Sequence, residues 1–163
     1  MERLMPLSGS IFTRLRHQHE ALPELIRDLS EEELKLRTDP GKWSAFENIA
    51  HLAAYQPAFI DRLKKIIAGP TPVFQRYVAE KDPGFPNYLH MPLETLLHLI
   101  PAKAAQITAC LTGLKETDLP LTGVHPRYGT LTIPQWTQFF LLHEAHHLYT
   151  IFMLTQDLRA ARK

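Results

Sequence analysis

The sequence lacks the features of a disulfide-stabilised, secreted or membrane-spanning protein. Cys110 is the single cysteine among 163 residues, so no disulfide can form within the chain, and we interpret it as a small core residue. No apolar run approaches the roughly 18 to 20 residues that a helix needs to cross a bilayer, and Met1 to Pro6 contain no apolar signal region. We therefore expect a cytoplasmic protein that does not enter a membrane.

A strong charge of either sign is also missing. The chain has 18 lysine and arginine residues against 17 aspartate and glutamate residues, which gives a formal net charge of +1. Because no basic stripe is visible, nothing in the sequence indicates binding to nucleic acid. The hydrophobic share of 45% and the charged share of 21% are those of an ordinary globular protein. With no internal repeat, residues 1–163 are predicted to form a single domain, alone or as a small oligomer.

Helical periodicity is what the sequence does contain. Apolar residues recur at helical spacing in four segments, which are residues 8–29, 44–68, 93–114 and a last segment beginning at 132–135. Capping boxes mark the starts at Ser44 and Thr132, and Pro23 predicts an irregular turn in the first helix. Long connections follow the second and third helices. This pattern predicts an all-α protein, a four-helix bundle with long crossover connections.

The last predicted helix carries three histidines within the apolar run from Phe139 to Leu154. His143 and His147 are four residues apart and therefore stack on one face, where they can bind one metal ion. His146 is offset from that face by about 60 to 100 degrees and cannot easily join them. Two ligands from one helix need a third from elsewhere. His51, among small and aliphatic residues of the second helix, is the candidate.

Three imidazoles with an open fourth position are typical of a catalytic metal ion, since structural zinc sites usually have four protein ligands that include thiolates. Helical bundles build such sites from side chains on facing helices. Glu47, one turn before His51, could orient that ring besides capping the helix. The alternative is that His51, His143 and His147 are core histidines satisfied by hydrogen bonds, because buried polar groups are ordinarily paired. The residues alone leave both interpretations open.

Four further histidines are expected to be exposed. His17 and His19 fall on a mostly charged stretch of the first helix, and His90 and His98 have no partner in the sequence. We predict that none of the four belongs to the metal site.

Several short motifs occur together in an order that resembles one protein family. They are, in chain order, Trp43-Ser44, Glu47, His51, Tyr128-Gly129-Thr130-Leu131-Thr132 and a His-x-x-His-His run with His143 and His147. This order resembles the DinB/YfiT-like superfamily of metalloenzymes over nearly the whole chain. The resemblance implies a DinB/YfiT-like four-helix bundle, often dimeric, that holds zinc, nickel or another divalent ion with three histidines. Carried over residue by residue, the ligands are His51, His143 and His147.

The resemblance also implies a class of function. Characterised members include thiol S-transferases that use bacillithiol or mycothiol and a thiol-dependent maleylpyruvate isomerase. For this chain it implies a homodimeric, metal-dependent transferase or hydrolase that acts on a small-molecule substrate, with a low-molecular-weight thiol as a candidate cosubstrate. Many members have a glutamine three residues after the last histidine, whereas this chain has Thr150, so any role of that glutamine does not carry over.

Candidate catalytic residues are expected around the ion. They are Tyr55, one turn beyond His51, and His125, Arg127 and Tyr128, in the segment that leads into the fourth helix. Arg127 could bind an anionic substrate through two parallel hydrogen bonds. A divalent ion with an open position activates either water or a thiol at neutral pH, so transferase and hydrolase both remain open.

Two other classes of function compete with this interpretation. Residues 143–147 also match the HExxH pattern of zinc proteases, in which Glu144 would be the general base. Such sites take their third ligand from further along the chain, but the 16 residues after His147 contain no histidine or glutamate. Glu144 projects about 100 degrees from His143, so we expect it to face solvent or a dimer contact. The other alternative is a non-catalytic helical bundle that keeps the histidines only as polar core groups.

Overall fold

The computed structural model describes residues 7–162; Met1 to Pro6, for which the sequence predicts no signal region, lie outside them. Its helices and strands are, in chain order, α1 (Gly9–His17), α2 (Ala21–Leu25), α3 (Glu31–Leu34), α4 (Ala45–Ala68), α5 (Phe85–Leu89), α6 (Leu93–Thr112), β1 (Thr122–His125), β2 (Gly129–Thr132) and α7 (Ile133–Ala160). No helix within the described range is long and apolar enough to span a bilayer. The predicted all-α bundle is confirmed, with one small hairpin added.

Capping side chains set the start of the two longest helices. Ser44 Oγ accepts a hydrogen bond from the backbone N–H of Glu47 at 3.1 Å, and the Glu47 carboxylate accepts one from the Ser44 N–H at 2.7 Å. Thr132 and Gln135 form the equivalent box at the start of α7. These bonds satisfy backbone donors that a helix start leaves unpaired, and they confirm both predicted starts. Helix α4 ends at Ala68 and is followed by Gly69, whose positive φ of 56° suits glycine.

The first predicted helix is interrupted, as Pro23 indicated. Helix α1 passes into a 3₁₀ turn over Gln18–Glu20 before α2 begins. The cause is that Pro23 has no N–H to donate to the carbonyl four residues earlier. In this turn His19 faces the interior, and only 9% of it is exposed. The prediction that His19 is solvated is therefore wrong, whereas His17 is exposed as predicted.

Helix α4 is the centre of the bundle, because it packs against both α6 and α7. Its buried residues belong to two hydrophobic clusters, and the boundary between them falls between Ala54 and Tyr55. On α7 the same boundary falls between Leu141 and Leu148. Burying each large aliphatic or aromatic side chain contributes about 1.5 to 3 kcal/mol. Apolar packing on both sides of the boundary therefore holds α4 and α7 in fixed register there.

An antiparallel hairpin, β1 with β2, occupies the connection before α7, where the sequence predicted no strand. The register pairs Thr122 with Thr132 and His125 with Gly129. Gly129 has a φ of 73°, a left-handed conformation that glycine adopts without strain. The hairpin turn therefore consists of residues 126–128. These residues form part of the wall of the site described below.

Close backbone packing fixes the hairpin against the bundle. A Cβ atom at Gly123 would lie 2.7 Å from Phe74 and 3.0 Å from Ile66, so only glycine fits there. Trp136 Nε1 donates to the Gly123 carbonyl at 3.2 Å. The first long connection adds to the hairpin edge, because the Phe74 N–H donates to the Val124 carbonyl at 3.0 Å. Both long connections therefore meet on one side of α4.

Candidate metal centre

The structure brings His51, His143 and His147 together at the boundary between the two hydrophobic clusters. Nε2 of His51 and Nε2 of His143 lie 3.1 Å apart. One potential ligand atom from each of the three histidines lies within 4.8 Å of the others. His143 and His147 project from successive turns of α7, and His51 reaches them from α4. His146, which the sequence placed off this face, is exposed and lies outside the cluster.

A neighbouring asparagine fixes the orientation of the His147 ring. Asn48 Nδ2 donates to the Ser44 carbonyl at 2.8 Å, so Oδ1 is the amide atom that faces Nδ1 of His147, also at 2.8 Å. Because an amide oxygen can only accept, Nδ1 of His147 carries the proton and Nε2 keeps its lone pair. Asn48 precedes His51 by three residues on α4. One helix thus supplies a candidate ligand and also orients another.

Burial keeps all three imidazoles neutral. Loss of hydration lowers the pKa of His51 to about 4, of His143 to about 2 and of His147 to about 3. The neighbouring histidines add to the lowering of the pKa of His143 and His147, since like charges repel. Neutral imidazole is the form that binds a metal ion, so no proton has to leave before a cation binds near pH 7.

The donor set fits a divalent metal ion. A tetrahedral ion with metal–nitrogen bonds of about 2.0 to 2.1 Å separates its nitrogen ligands by about 3.3 Å, close to the 3.1 Å between Nε2 of His51 and Nε2 of His143. The alternative of hydrogen-bonded core histidines fits less well. Among residues 7–162, Nδ1 of His51 and Nδ1 of His143 have no hydrogen-bond partner. Without an ion, a hydrogen bond between the two Nε2 atoms satisfies only one nitrogen of each ring. Aromatic packing completes their surroundings, with the Trp43 ring 5.1 Å from His51 and the Tyr55 ring 4.2 Å from His143, centre to centre.

The three histidines border a cavity of about 590 Å³. Its walls come from α4, α7, the first long connection and the hairpin turn, and they are rich in aromatic and cationic side chains. Besides the histidines they include Trp43, Arg62, Arg76, Tyr77, Glu80 and Phe139. A cavity of this size and composition suits a small organic molecule.

The four candidate residues named from the sequence, Tyr55, His125, Arg127 and Tyr128, all line this cavity. The Tyr55 hydroxyl is buried and accepts a hydrogen bond from Arg62 Nη1 at 3.3 Å. Burial raises the pKa of Tyr55, so its hydroxyl stays protonated at neutral pH. Arg127 and Tyr128 are exposed at the rim, with the Arg127 guanidinium 5.5 Å from the centre of the Tyr128 ring. Their catalytic roles stay predictions.

His125 has partners within the hairpin itself. Its Nδ1 accepts hydrogen bonds from the backbone N–H groups of Arg127 at 3.1 Å and Tyr128 at 3.2 Å. Nδ1 therefore carries no proton, and the neutral ring is protonated at Nε2. Burial lowers the pKa of His125, and the Arg62 and Arg127 charges lower it further. This imidazole holds the turn that brings Arg127 and Tyr128 to the rim of the cavity.

The site includes residues that were not predicted, among them Asn48, Arg62 and Tyr77. Asn48 had a signal in the sequence, because it is a polar residue in the otherwise apolar face of α4 around His51. Arg62 also had one: it follows Tyr55 by seven residues and so lies on the same helix face. Tyr77, whose ring centre lies 5.8 Å from that of His51, comes from the first long connection. No local pattern could have placed it there.

Glu144 is buried, so the prediction that it faces solvent or a dimer contact is wrong. Only 4% of it is exposed, because it falls on the buried stripe of α7 between Leu141 and Leu148. Its Oε2 lies 3.5 Å from Gln18 Nε2, and Oε1 has no partner in the described part of the chain. Burial raises the pKa of Glu144 to about 7. Since Glu144 does not line the cavity, the geometry does not support the zinc protease alternative.

Two other residues near the site have local partners. The Glu47 carboxylate is held by the capping box of α4 and by an ion pair with Arg37, with Nε of Arg37 at 3.0 Å. Asn48 and not Glu47 therefore orients a ring of the cluster. Thr150, which replaces the glutamine common in the resembled family, donates to the His146 carbonyl of its own helix at 2.9 Å.

Comparison with known proteins finds relatives that match nearly the whole chain. A "putative metal-dependent hydrolase" of Oceanobacillus iheyensis is 32% identical over 153 residues, which cover 91% of this chain and 88% of that protein. YuaE of Bacillus subtilis is 28% identical over 148 residues, which cover 83% of this chain and 91% of YuaE.

A solved structure shows the same fold. It belongs to YfiT from Bacillus subtilis, described as "a probable metal-dependent hydrolase with an unusual four-helix bundle topology". It matches with a TM-score of 0.78 over 96% of this chain and 90% of its own, at 18% identity. The family model of the DinB superfamily matches residues 14–151, a range that includes His51, His143 and His147. The resemblance noted in the sequence is thus confirmed, and this chain belongs to the DinB superfamily.

Proposed function

We propose that this protein is a metal-dependent hydrolase of small organic molecules, in which His51, His143 and His147 hold one divalent ion. The observation that carries the proposal is the convergence of three neutral imidazoles, with ligand atoms within 4.8 Å of one another, on the wall of a cavity. The names of the Oceanobacillus relative and of YfiT refer to the same class of reaction. Imidazole ligands suit zinc and nickel alike, so we expect one of these two ions.

Each side chain of the site has a distinct part in this proposal. A divalent ion with an open position would acidify the water or thiol that it binds and make it a nucleophile at neutral pH. Asn48 accepts a hydrogen bond from the Nδ1–H of His147, which leaves the Nε2 lone pair of that ring free to bind the ion. Trp43 and Tyr77 lie beside the His51 ring and limit the access of bulk water. The protonated Tyr55 hydroxyl, held by Arg62, is placed to donate a hydrogen bond to a substrate oxygen.

Elemental analysis of protein purified without a histidine tag or chelator tests the ion. We expect about one zinc or nickel ion per chain in the wild type and none in His51→Ala, because three ligands hold the ion. His90→Ala is the matched control, since His90 is exposed and lies outside the cluster. Wild-type protein without stoichiometric metal would contradict the proposal.

Activity measurements separate hydrolysis from thiol transfer. The metal-loaded protein is assayed on small esters and amides in water, and in parallel on an electrophile such as monochlorobimane with cysteine as the thiol. A hydrolase consumes the esters or amides without a thiol and loses this activity when the metal is removed. Consumption of the electrophile that requires the thiol, with no hydrolysis in water, would instead favour the thiol S-transferase implied by the resemblance.

A further inference from the structure

Arg62 is a buried cation on the wall of the same cavity. It is 7% exposed, and it lines the cavity together with the three histidines. Its Nη1 donates to the Tyr55 hydroxyl at 3.3 Å and its Nη2 to the Gln75 carbonyl at 2.9 Å. Over residues 7–162, the ion pairs within 4.0 Å all belong to other residues, so no carboxylate neutralises this guanidinium.

A buried charge without a counterion is costly, and the surroundings of Arg62 offset only part of that cost. Two neutral acceptors use two of the five N–H groups of the guanidinium. The rings of Phe74 and Trp136 lie beside it, with their centres 5.5 and 5.3 Å from the guanidinium carbon. These rings stabilise the cation and fix the plane of the fork. The Arg62 guanidinium is therefore held in place beside the cavity, with N–H donors that form no hydrogen bond within the described residues.

Charge around the cavity is predominantly positive. Arg76 and Arg127 also line it, both are exposed, and within the described residues neither forms an ion pair. Glu80, likewise exposed, is the carboxylate on this wall. Three guanidinium groups against one carboxylate attract small anions from solution into the cavity.

We propose that Arg62 binds an anionic oxygen group of the substrate, a carboxylate or a phosphate. The substrate of the site is then a small organic anion whose reacting end lies toward His51, His143 and His147. A planar guanidinium fork suits both kinds of oxyanion, which it binds through two parallel hydrogen bonds. This inference rests on the proposed function, and it adds the chemical class of the substrate. Arg127, at the rim, is positioned to attract the anion on its way in.

Binding of small unreactive probes tests this inference directly. Titration calorimetry on the purified metal-loaded protein compares succinate and methylphosphonate, which carry the two kinds of oxyanion, with neutral succinamide. We expect the wild type to bind at least one of the anions and not succinamide, and the stronger anion identifies the group that Arg62 recognises. In Arg62→Gln the affinity for that anion should fall about 10- to 100-fold, since a charge-assisted hydrogen bond is lost.

Two further variants make the test specific. Arg62→Lys keeps the charge and the aliphatic stem but loses the planar fork, so we expect a smaller loss of about three- to tenfold. Arg16→Gln is the matched control and should bind like the wild type. Its guanidinium carbon also lies over an aromatic ring, 5.8 Å from the centre of Phe12, but outside this cavity. Circular dichroism and metal content establish that each variant is folded and loaded; Arg62→Lys alone decides if Arg62→Gln does not fold.

Anion affinity within about twofold of the wild type in Arg62→Gln would overturn the inference, as would equal binding of succinamide. So would unchanged affinity in Arg62→Lys if only that variant folds. The result is separable from the fate of the proposed function. In His51→Ala, which lacks a candidate metal ligand, Arg62 is intact, so Arg62-dependent anion binding there supports the inference even without hydrolysis. Conversely, hydrolysis that does not depend on Arg62 would leave the proposed function standing and overturn only the anionic substrate.

Discussion

Two adjacent faces of α7 carry buried ionisable groups, and burial shifts their pKa values in opposite directions. His143 and His147 lie on the cavity face, and Glu144 lies on the core face one residue further along. Burial favours the uncharged form on both faces, so it lowers the pKa of His143 and raises that of Glu144. The two faces differ in the groups that surround these side chains. The histidines converge with His51, and Glu144 has a single long hydrogen bond from Gln18, at 3.5 Å.

The difference shows that burial alone does not identify a functional group. On the cavity face, several neutral donors of one kind point to a common place beside an open volume, which is what a cation requires. On the core face, a single carboxyl group lies on the buried stripe between Leu141 and Leu148, with Gln18 as its hydrogen-bond partner, and it does not line the cavity of the site. We therefore expect substitutions on the cavity face to change metal binding, and substitutions on the core face to change stability.

Removing a histidine from the cavity face should have the largest effect. We expect His51→Ala, His143→Ala and His147→Ala each to empty the metal site, because losing one of three ligands removes a bond and the geometry of the sphere. Zinc titration calorimetry beside the wild type measures this, with His90→Ala as the exposed control. Full metal retention in His51→Ala would refute the assignment of three histidine ligands.

Removing the group that orients His147 should have the next largest effect. Asn48→Ala leaves all three imidazoles in place but deletes the acceptor 2.8 Å from Nδ1 of His147. Substitutions of such outer partners typically cost about 10- to 100-fold in metal affinity, which a competition titration with a chromophoric chelator measures. Asn48→Asp keeps an acceptor and should recover most of the loss. Equal affinities for wild type and Asn48→Ala would mean that packing alone orients the ring.

A change on the core face should leave metal binding intact and alter the dependence of stability on pH. The pKa of Glu144 is raised from 4.5 to about 7, so the folded state holds this proton more tightly than the unfolded chain. The free energy of unfolding therefore falls as pH rises from about 4.5 to about 7. This rise in pKa corresponds to an upper limit of about 3 kcal/mol of stability. Glu144→Gln removes the titrating carboxyl group, so the stability of this variant relative to wild type should be higher at pH 8 than at pH 5.

Urea denaturation of the metal-free protein at these two pH values measures the effect. Metal-free protein is used because metal binding is itself dependent on pH. The three histidines add a trend of opposite sign, since their lowered pKa values make the folded state lose stability as pH falls below about 6.5, but wild type and variant share this trend. Glu24→Gln, at an exposed position, is the control and should show no such difference. If Glu144→Gln lost the metal, Glu144 would belong to the cavity face after all.

Removing the metal without any substitution should have a smaller effect on the fold. Two hydrophobic clusters hold α4 and α7 on both sides of the site, so chelation should leave the helical circular dichroism signal intact. The free energy of unfolding should fall only by the contribution of metal binding, which is about 2.7 kcal/mol at a free metal concentration 100 times the Kd. The melting temperature should fall correspondingly. A collapse of the helical signal on chelation would show that the ion is a folding element.

The third, outer side of α7 should affect neither metal nor fold. It exposes Leu142, Tyr149 and Met153, which lie at intervals of seven and four residues and so fall on one line along the helix. We propose that the homodimer implied by the family resemblance forms along this line. Light scattering at micromolar concentration should give twice the 18.7 kDa monomer mass, and Tyr149→Lys should halve it while keeping the metal. A monomer mass for the wild type would refute the dimer.

The sequence by itself determined the helices and the position of the candidate ligands along them. Capping boxes at Ser44 and Thr132 defined the helix starts, because the hydrogen bonds involved span only three residues. The four-residue spacing of His143 and His147 determined their common face, because the helical period is a local property of the backbone. The order of the motifs around His51 is also a property of the sequence, and it is enough to indicate the family.

Only the tertiary structure decided which of these side chains meet and which are buried. Whether His51 reaches His143 depends on the register of α4 against α7, and packing of two hydrophobic clusters sets that register. Glu144 and His19 were misplaced for the same reason, since burial depends on what packs against a helix face and not on its own pattern. The part of the cavity wall that carries Arg127 depends on a hairpin that Gly123 allows to approach α4, and Tyr77 reaches the cavity from the first long connection. Such long-range contacts bring together residues far apart in the chain, and no local period records them.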